Sequence, residues 1–128
     1  MGKGYTRSKY GNKKCDYHGL KFDSAGEMQR YFVLCDMADS GEIKNLKRQI
    51  KFPLSANGQH ICDYIADFVY DMPDGTKVVE DWKGIMTDVF KLKAKLFLAN
   101  HGFSITTSNK KGELKPWPTK KDTSKRKQ

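Results

Sequence analysis

The stretch Val78-Val79-Glu80-Asp81-Trp82-Lys83-Gly84 combines the residues of a buried strand with three charged side chains near its end. The valines favour extended backbone and Gly84 favours a turn, so the stretch predicts a short strand. Alternate side chains of a strand share a face, which places Asp81 and Lys83 together, roughly 7 Å apart, and Glu80 on the opposite face. A carboxylate beside an ammonium group suits a site for a divalent cation and an anionic intermediate. The alternative is a solvated strand end with an incidental ion pair.

The segment 62–70 predicts a second strand, which a short Asp-Gly turn joins to the first as its antiparallel neighbour. One of its faces is expected to be the core side: Tyr64, Ala66, Phe68 and Tyr70. The other face carries Asp67, which would be costly to bury unless it meets a cation or hydrogen-bond donors. The strand pairing can bring Asp67 close to Asp81. Asp63, two residues before Asp67 on the same face, is a weaker candidate.

A capping box, Ser24-Ala25-Gly26-Glu27, predicts a helix that begins here and ends near Asp39 or Ser40. Glu27 is explained as the capping partner of Ser24, but a first-turn acid can also point into a cleft as a metal ligand. The two roles are compatible. A strand is expected to end at Leu54, and Gln49 just before its alternating part is either polar lining or surface.

A second helix is predicted after Thr87, with an apolar stripe and with Lys91 and Lys95 on a shared face. These lysines could reach a phosphate backbone, although exposed helix lysines are usually only solvated. A last strand covers residues 103–107. The predicted fold is therefore α/β, with a central mixed sheet of about four strands flanked by helices in the order αβββαβ.

The net charge of +9 is concentrated at the two ends of the chain. Residues 1–22 carry six Lys or Arg against one Asp, residues 109–128 carry eight against two acids, and residues 23–108 carry ten against twelve. This distribution predicts a polyanionic partner, above all nucleic acid, although solubility, an acidic protein or a membrane surface are alternatives. We expect a basic N-terminal arm (1–16), one domain (17–108) and a basic, flexible C-terminal tail. Tail lysines expected to contact nucleic acid are Lys110, Lys111, Lys120 and Lys121.

Three scattered cysteines without a Cys-x-x-Cys pair argue against a disulfide framework and against a zinc knuckle. We see no signal peptide and no run of the ~20 apolar residues that a membrane span needs. These features predict a protein of the reducing cytoplasm, that of the host cell if a phage encodes it, without a membrane partner.

In order and spacing, several segments together resemble the PD-(D/E)xK nuclease superfamily, in particular small endonuclease-like proteins of phages and prophages. The resembling segments span about residues 20–105: Lys21-Phe22-Asp23-Ser24 with Glu27 and Tyr31, Gln49 with Phe52, Tyr64 to Phe68, Val79 to Gly84, and Thr87 with Phe90, Lys91 and Lys95. The superfamily includes restriction enzymes, transposon-end nucleases and Holliday-junction resolvases. The resemblance implies a restriction-endonuclease-like core.

By this resemblance, Asp67 and Asp81 would hold Mg²⁺ or Mn²⁺, and Glu27 would complete the metal site. Lys83 would orient or deprotonate the attacking water or stabilise the pentacovalent phosphate. The chain departs from the motif in having alanine before Asp67 where the superfamily has proline. It also has Glu80 directly before Asp81, and Glu80 would become a ligand only if a bulge shifted the register.

We therefore predict a metal-dependent DNA endonuclease that is selective for branched DNA and acts in phage recombination or replication. Many members of the superfamily act as dimers, so a homodimer is one expectation. Two alternatives remain open at this point. One is a nucleic-acid-binding accessory protein with a structural acidic cluster, and the other is a nuclease subunit that a partner directs.

Overall fold

A computed structural model of the protein describes residues 5–7 and 13–123, with the backbone alone up to residue 17. Its first three strands form a small antiparallel sheet: β1 (Tyr5–Arg7), β2 (Lys13–Tyr17) and β3 (Leu20–Phe22). Part of the predicted N-terminal arm therefore belongs to strands. The rest of that arm, residues 1–4 and 8–12, lies outside the described residues, as do residues 124–128 of the predicted tail.

The main sheet has five strands in the described chain, in the spatial order β4-β5-β6-β7-β8. Two helices accompany it, and the elements follow in the chain as α1 (Ala25–Asp39), β4 (Lys44–Ala56), β5 (Gln59–Asp71), β6 (Lys77–Trp82), α2 (Asp88–His101), β7 (Ile105–Ser108) and β8 (Leu114–Trp117). β6 and β7 are parallel and the other neighbours are antiparallel. The fold is thus mixed α/β, and the stretch from α1 to β7 has the predicted order αβββαβ.

The fifth strand, β8, was not predicted, because its residues lie in the lysine-rich segment assigned to the tail. Trp117 pairs with Ile105 of β7, and its half-buried ring lies 6.3 Å from the ring of Phe90. An edge strand needs few apolar residues when one side chain supplies the contact with the core. The sheet therefore extends into the segment that follows residue 108.

The core has two parts, one against each helix. The part against α2 contains Tyr64, Ala66 and Val69 of β5, and the part against α1 contains Phe68 and Tyr70. The single aromatic face predicted for β5 was therefore wrong: Ala66 and Phe68 point to opposite sides although they are two residues apart. Asp67 lies between these two residues, where the side changes. The residue opposite it on β4 is Gln49, whose φ is positive, at 54°. This distortion turns Asp67 away from both parts of the core.

A close contact joins the first turn of α1 to the end of β6. A Cβ atom on Gly26 would lie only 2.1 Å from Cζ2 of Trp82. Alanine in a helix is about 1 kcal/mol better than glycine, but overpacking costs about 1–3 kcal/mol. We expect Gly26→Ala to lower the free energy of unfolding by about 1 kcal/mol and to displace the indole ring. Urea denaturation and tryptophan fluorescence measure the two effects.

A double-mutant cycle provides the control for this prediction. Trp82→Phe removes the indole atoms that meet the new Cβ atom, so Gly26→Ala should be neutral or stabilising in the Trp82→Phe background. An equal loss of stability in both backgrounds would contradict the proposed clash.

Candidate metal centre

A cavity of about 560 Å³ opens between the start of α1, the middle of β5 and the end of β6. It contains the four residues predicted from sequence as catalytic: Glu27, Asp67, Asp81 and Lys83. Its other lining residues are Asp23, Ser24, Trp82, Gly84, Ile85 and Thr87. Both helix N-caps, Ser24 and Thr87, therefore border the cavity, and each side-chain oxygen accepts a backbone N–H of the first helical turn. The capping sequences place two helix starts, with their positive dipole ends, at this cavity.

Glu27 combines the capping role and the cavity position that the sequence allowed. Its side chain is buried, and Oε1 accepts the backbone N–H of Asp23 at 2.9 Å, one residue before the expected capping partner. Oε2 accepts a hydrogen bond of 3.2 Å from Gln49 and lies 3.7 Å from the guanidinium group of Arg48. Burial is the largest effect on Glu27 and raises the pKa of this carboxyl group, while the hydrogen bond from Asp23 opposes the rise. Gln49 thus supports Glu27 and is not itself a lining residue.

Asp67 lies where β5 and β6 separate. The ladder between the two strands ends at the pair Phe68 and Glu80, and beyond it the backbone N–H of Trp82 donates to Oδ2 of Asp67 at 2.9 Å. Burial, the hydrogen bond to Asp81 and the charges of Asp81 and Glu27 raise the pKa of Asp67 to about 10. Without a cation, the raised pKa of Asp67 favours the protonated form of this carboxyl group at neutral pH.

Asp81 and Lys83 lie on one face at the end of β6, as the alternation of the strand predicts. Oδ2 of Asp81 accepts a hydrogen bond of 2.9 Å from the hydroxyl group of Tyr64 and lies 3.4 Å from Nζ of Lys83. Nζ of Lys83 also lies 3.9 Å from the centre of the Phe90 ring. Burial of Tyr64 and the charge of Asp81 raise the pKa of the tyrosine, so Tyr64 remains a hydrogen-bond donor. The carboxylate and the ammonium group are thus both fixed by residues of the α2 side of the core.

Asp23 is a cavity residue that the sequence analysis did not select as a ligand. It is exposed and precedes Ser24, and one carboxylate oxygen from each of Asp23, Glu27 and Asp67 lies within 4.8 Å of the others. The available signal was the spacing of Asp23 and Glu27, which places two acids around one helix N-cap. Clustered carboxylate oxygens are the ligands that Mg²⁺, Mn²⁺ and Ca²⁺ prefer.

Two secondary candidates, Glu80 and Asp63, lie outside the cavity. Glu80 is fully buried on the opposite face of β6, where it forms a bidentate ion pair with Arg30 at 2.6 and 2.9 Å and accepts the hydroxyl group of Tyr70. Asp63 lies on β5, and its Oδ1 is in hydrogen-bond contact with Nε2 of His60 at 2.8 Å. No bulge shifts the register of β6, so Glu80 is not a cavity ligand.

The lysines predicted to contact nucleic acid are exposed but do not line the cavity. Lys91 and Lys95 lie on α2, and Nζ of Lys95 is 6.0 Å from the centre of the Trp117 ring. Lys110 and Lys111 lie between β7 and β8, and Lys120 and Lys121 follow β8. Their role in binding stays a prediction.

Comparison with known proteins gives one family. A family model described as "protein of unknown function (DUF1064)" matches residues 7–112, which is most of the chain. The chain belongs to the DUF1064 family. No curated protein and no solved structure matches it. The DUF1064 match includes every acidic residue of the cavity and Lys83, and it ends before β8. In the described part of this DUF1064 protein, neither helix has the length and apolar character needed to cross a membrane.

Proposed function

We propose that the cavity is the active site of a DNA endonuclease that requires Mg²⁺ or Mn²⁺. The observation that supports this most is the meeting of three carboxylates from α1, β5 and β6 with one lysine around a single cavity. The element order from α1 to β7 is the order expected for a restriction-endonuclease-like core. The resemblance of the D-x-K stretch to the PD-(D/E)xK superfamily adds the reaction type, hydrolysis of a phosphodiester bond.

The donor set fits a hard divalent cation. Asp67 and Asp81 would hold it, with Glu27 completing the site. Asp23 lies within 4.8 Å of Glu27 and Asp67, and this close group of three carboxylates does not include Asp81. The three acids that would hold the cation face two cationic side chains, because Lys83 lies beside Asp81 and Arg48 lies beside Glu27. With all three carboxyl groups ionised one negative charge remains, and a divalent cation would neutralise it. When bound, such a cation lowers the pKa of water and neutralises charge on a phosphate. Asp67 would serve as a ligand in its deprotonated form, so metal binding should release a proton from the protein.

Lys83 would act on the phosphate rather than on the protein. Its ammonium group is positioned by Asp81 and by the Phe90 ring, and it is still partly accessible from the cavity. From there it can donate to an oxygen of the scissile phosphate and stabilise the charge that develops in the transition state. The excess of Lys and Arg at both chain ends supplies sequence-independent affinity for DNA, which should fall steeply with salt.

The second candidate function is that of a DNA-binding accessory protein, in which the acids have only a structural role. It is favoured by the hydrogen bonds that already satisfy Asp67 and Asp81 without a cation. Incubation with supercoiled plasmid and with a four-way junction, in Mg²⁺, Mn²⁺ or EDTA, separates the two. Metal-dependent nicking supports the nuclease, and binding of both substrates without any cleavage supports the accessory protein.

Tyr64 provides a test of the metal site that needs no substrate. Replacing Tyr64 with Phe removes the donor to Oδ2 of Asp81 and leaves the ring in the core. Loss of such an orienting hydrogen bond typically costs about tenfold in metal affinity. We expect the affinity for Mn²⁺, measured by isothermal titration calorimetry, to fall by about that factor.

Tyr70→Phe is the matched control. Tyr70 is also a buried tyrosine of β5 whose hydroxyl group donates to a carboxylate of β6, but that carboxylate is Glu80, outside the cavity. It should change Mn²⁺ affinity by less than about twofold. Equal losses in both variants would mean that stability, and not the metal site, determines the result.

A further inference from the structure

Three exposed aliphatic side chains follow one another along the chain where it leaves the cavity and enters α2. Ile85 lines the cavity and is 77% exposed, and Val89 and Leu92, on the first turns of α2, are 64% and 70% exposed. They are the most exposed large hydrophobic residues of the described chain. Val89 and Leu92 are three residues apart and therefore neighbours on the helix surface. We call these three residues the apolar ridge.

The two lysines that accompany the apolar ridge on α2 favour a polyanion. Lys91 and Lys95 are both exposed. The adjoining cavity holds Lys83 together with four acids, whose charge a bound cation would offset. The one acid of α2 is Asp88, which directly precedes Val89 in the first turn. A chain of phosphates that enters the cavity can therefore lie along basic residues of α2 while its other groups cover the ridge.

A second copy of the chain fits this surface less well. A two-fold interface through α2 would bring Lys91 and Lys95 close to their own copies, where like charges repel. Three side chains also provide far less than the ~800 Å² that each partner usually buries in a stable complex. Charge and size both disfavour this occupant.

Among nucleic acids, unpaired nucleotides fit the apolar ridge best. An intact duplex presents phosphates and keeps the faces of its bases stacked inside, so aliphatic side chains would stay in water. Unpaired bases expose flat apolar faces that can cover Ile85, Val89 and Leu92. We propose that the apolar ridge binds unpaired bases next to the cavity, so that the preferred ligand is DNA in which single-stranded nucleotides adjoin a duplex. The inference that the protein binds such DNA stands without the proposed nuclease function. The further inference that such DNA is the substrate that is cleaved rests on that function.

Binding in EDTA tests the inference without cleavage. The probes are a flapped DNA with 2-aminopurine at the first unpaired position and a blunt duplex of the same sequence, compared by fluorescence anisotropy. We expect the protein to bind the flap about fivefold to tenfold more tightly than the duplex, on the scale of partial burial of two or three aliphatic side chains. The double variant Val89→Gln, Leu92→Gln should lose this preference and keep its affinity for the duplex.

Val33→Gln is the matched control, because Val33 is an exposed valine, 48% accessible, on the other helix. It should leave both affinities unchanged. Equal binding of flap and duplex by the unaltered protein would overturn the inference, as would a double variant that still prefers the flap. A change of oligomeric state in the double variant, measured by sedimentation velocity, would assign the ridge to a second copy and also overturn it. Failure of the plasmid assay alone would reject cleavage and leave the binding inference intact.

Discussion

Replacing Asp81 with Asn should lower metal-dependent cleavage of DNA by about 1000-fold, the loss expected when a group that stabilises the transition state through a charge is removed. The exchange keeps the shape of the side chain and the acceptor for Tyr64, but it removes a charged ligand and the partner of Lys83. DNA binding should be unchanged or tighter, because one negative charge near the phosphate path is lost. The measurement is the rate of plasmid nicking at saturating Mn²⁺, with the dissociation constant for DNA determined in EDTA.

Asp63→Asn is the control for Asp81→Asn. Asp63 is an acid of the neighbouring strand that lies outside the cavity, so its exchange should change the cleavage rate by less than about twofold. Equal activity of the Asp81→Asn variant and the unaltered protein would remove the basis for the nuclease proposal. Thermal unfolding of all three proteins shows whether the fold is retained.

Replacing Asp67 with Asn should stabilise the metal-free protein by about 2 kcal/mol at pH 7, because the carboxyl group must take up a proton when the chain folds at this pH and the amide need not. Asn keeps an acceptor for the N–H of Trp82 and can donate to Asp81. The sign follows from the raised pKa of Asp67. Below about pH 4 the carboxyl group is protonated in both the folded and the unfolded chain, and its contribution to stability is fully present. As the pH rises toward about 10 the unfolded chain binds fewer protons than the folded one, so this contribution is progressively lost.

Thermal unfolding between pH 5 and 9, with and without Mg²⁺, measures this effect. The unaltered protein should lose stability with rising pH in EDTA and should regain it when Mg²⁺ is added. In the Asp67→Asn variant both the pH dependence and the gain from Mg²⁺ should be strongly reduced. Asp63→Asn, in which the exchanged carboxyl group has a lowered pKa because of His60, should not reproduce this pattern. An Asp67→Asn variant less stable than the unaltered protein at pH 7 would show that the buried carboxyl group of Asp67 does not lower the stability of the fold.

The parts of the site that were predictable from sequence depend on local periodicity. Asp81 and Lys83 share a face, and Glu80 points away, because the alternation of β6 holds without a bulge and continues to Lys83, the residue after the strand. Glu27 was located by a capping pattern within four residues. The element order from α1 to β7 followed from runs of strand and helix pattern.

The parts that were missed depend on contacts between distant residues. The change of side at Asp67 coincides with the point where the pairing of β5 with β6 ends while its pairing with β4 continues, and no pattern within β5 reveals this point. Asp23 joins the site only because the start of α1 lies over the middle of β5. β8 exists because Trp117 reaches the ring of Phe90, a contact across 27 positions of the chain.

The main sheet has a proline in each of its outer strands, Pro53 in β4 and Pro116 in β8. Proline lacks the N–H group that another strand would need, and each of the two strands also carries lysine, three residues in β4 and one in β8. Neither border of the sheet can therefore be lengthened by an added strand over its full extent. If the protein assembles with itself, we expect the copies to associate mainly through side chains, because these two residues disfavour a ten-stranded sheet that is paired along the whole of either edge strand.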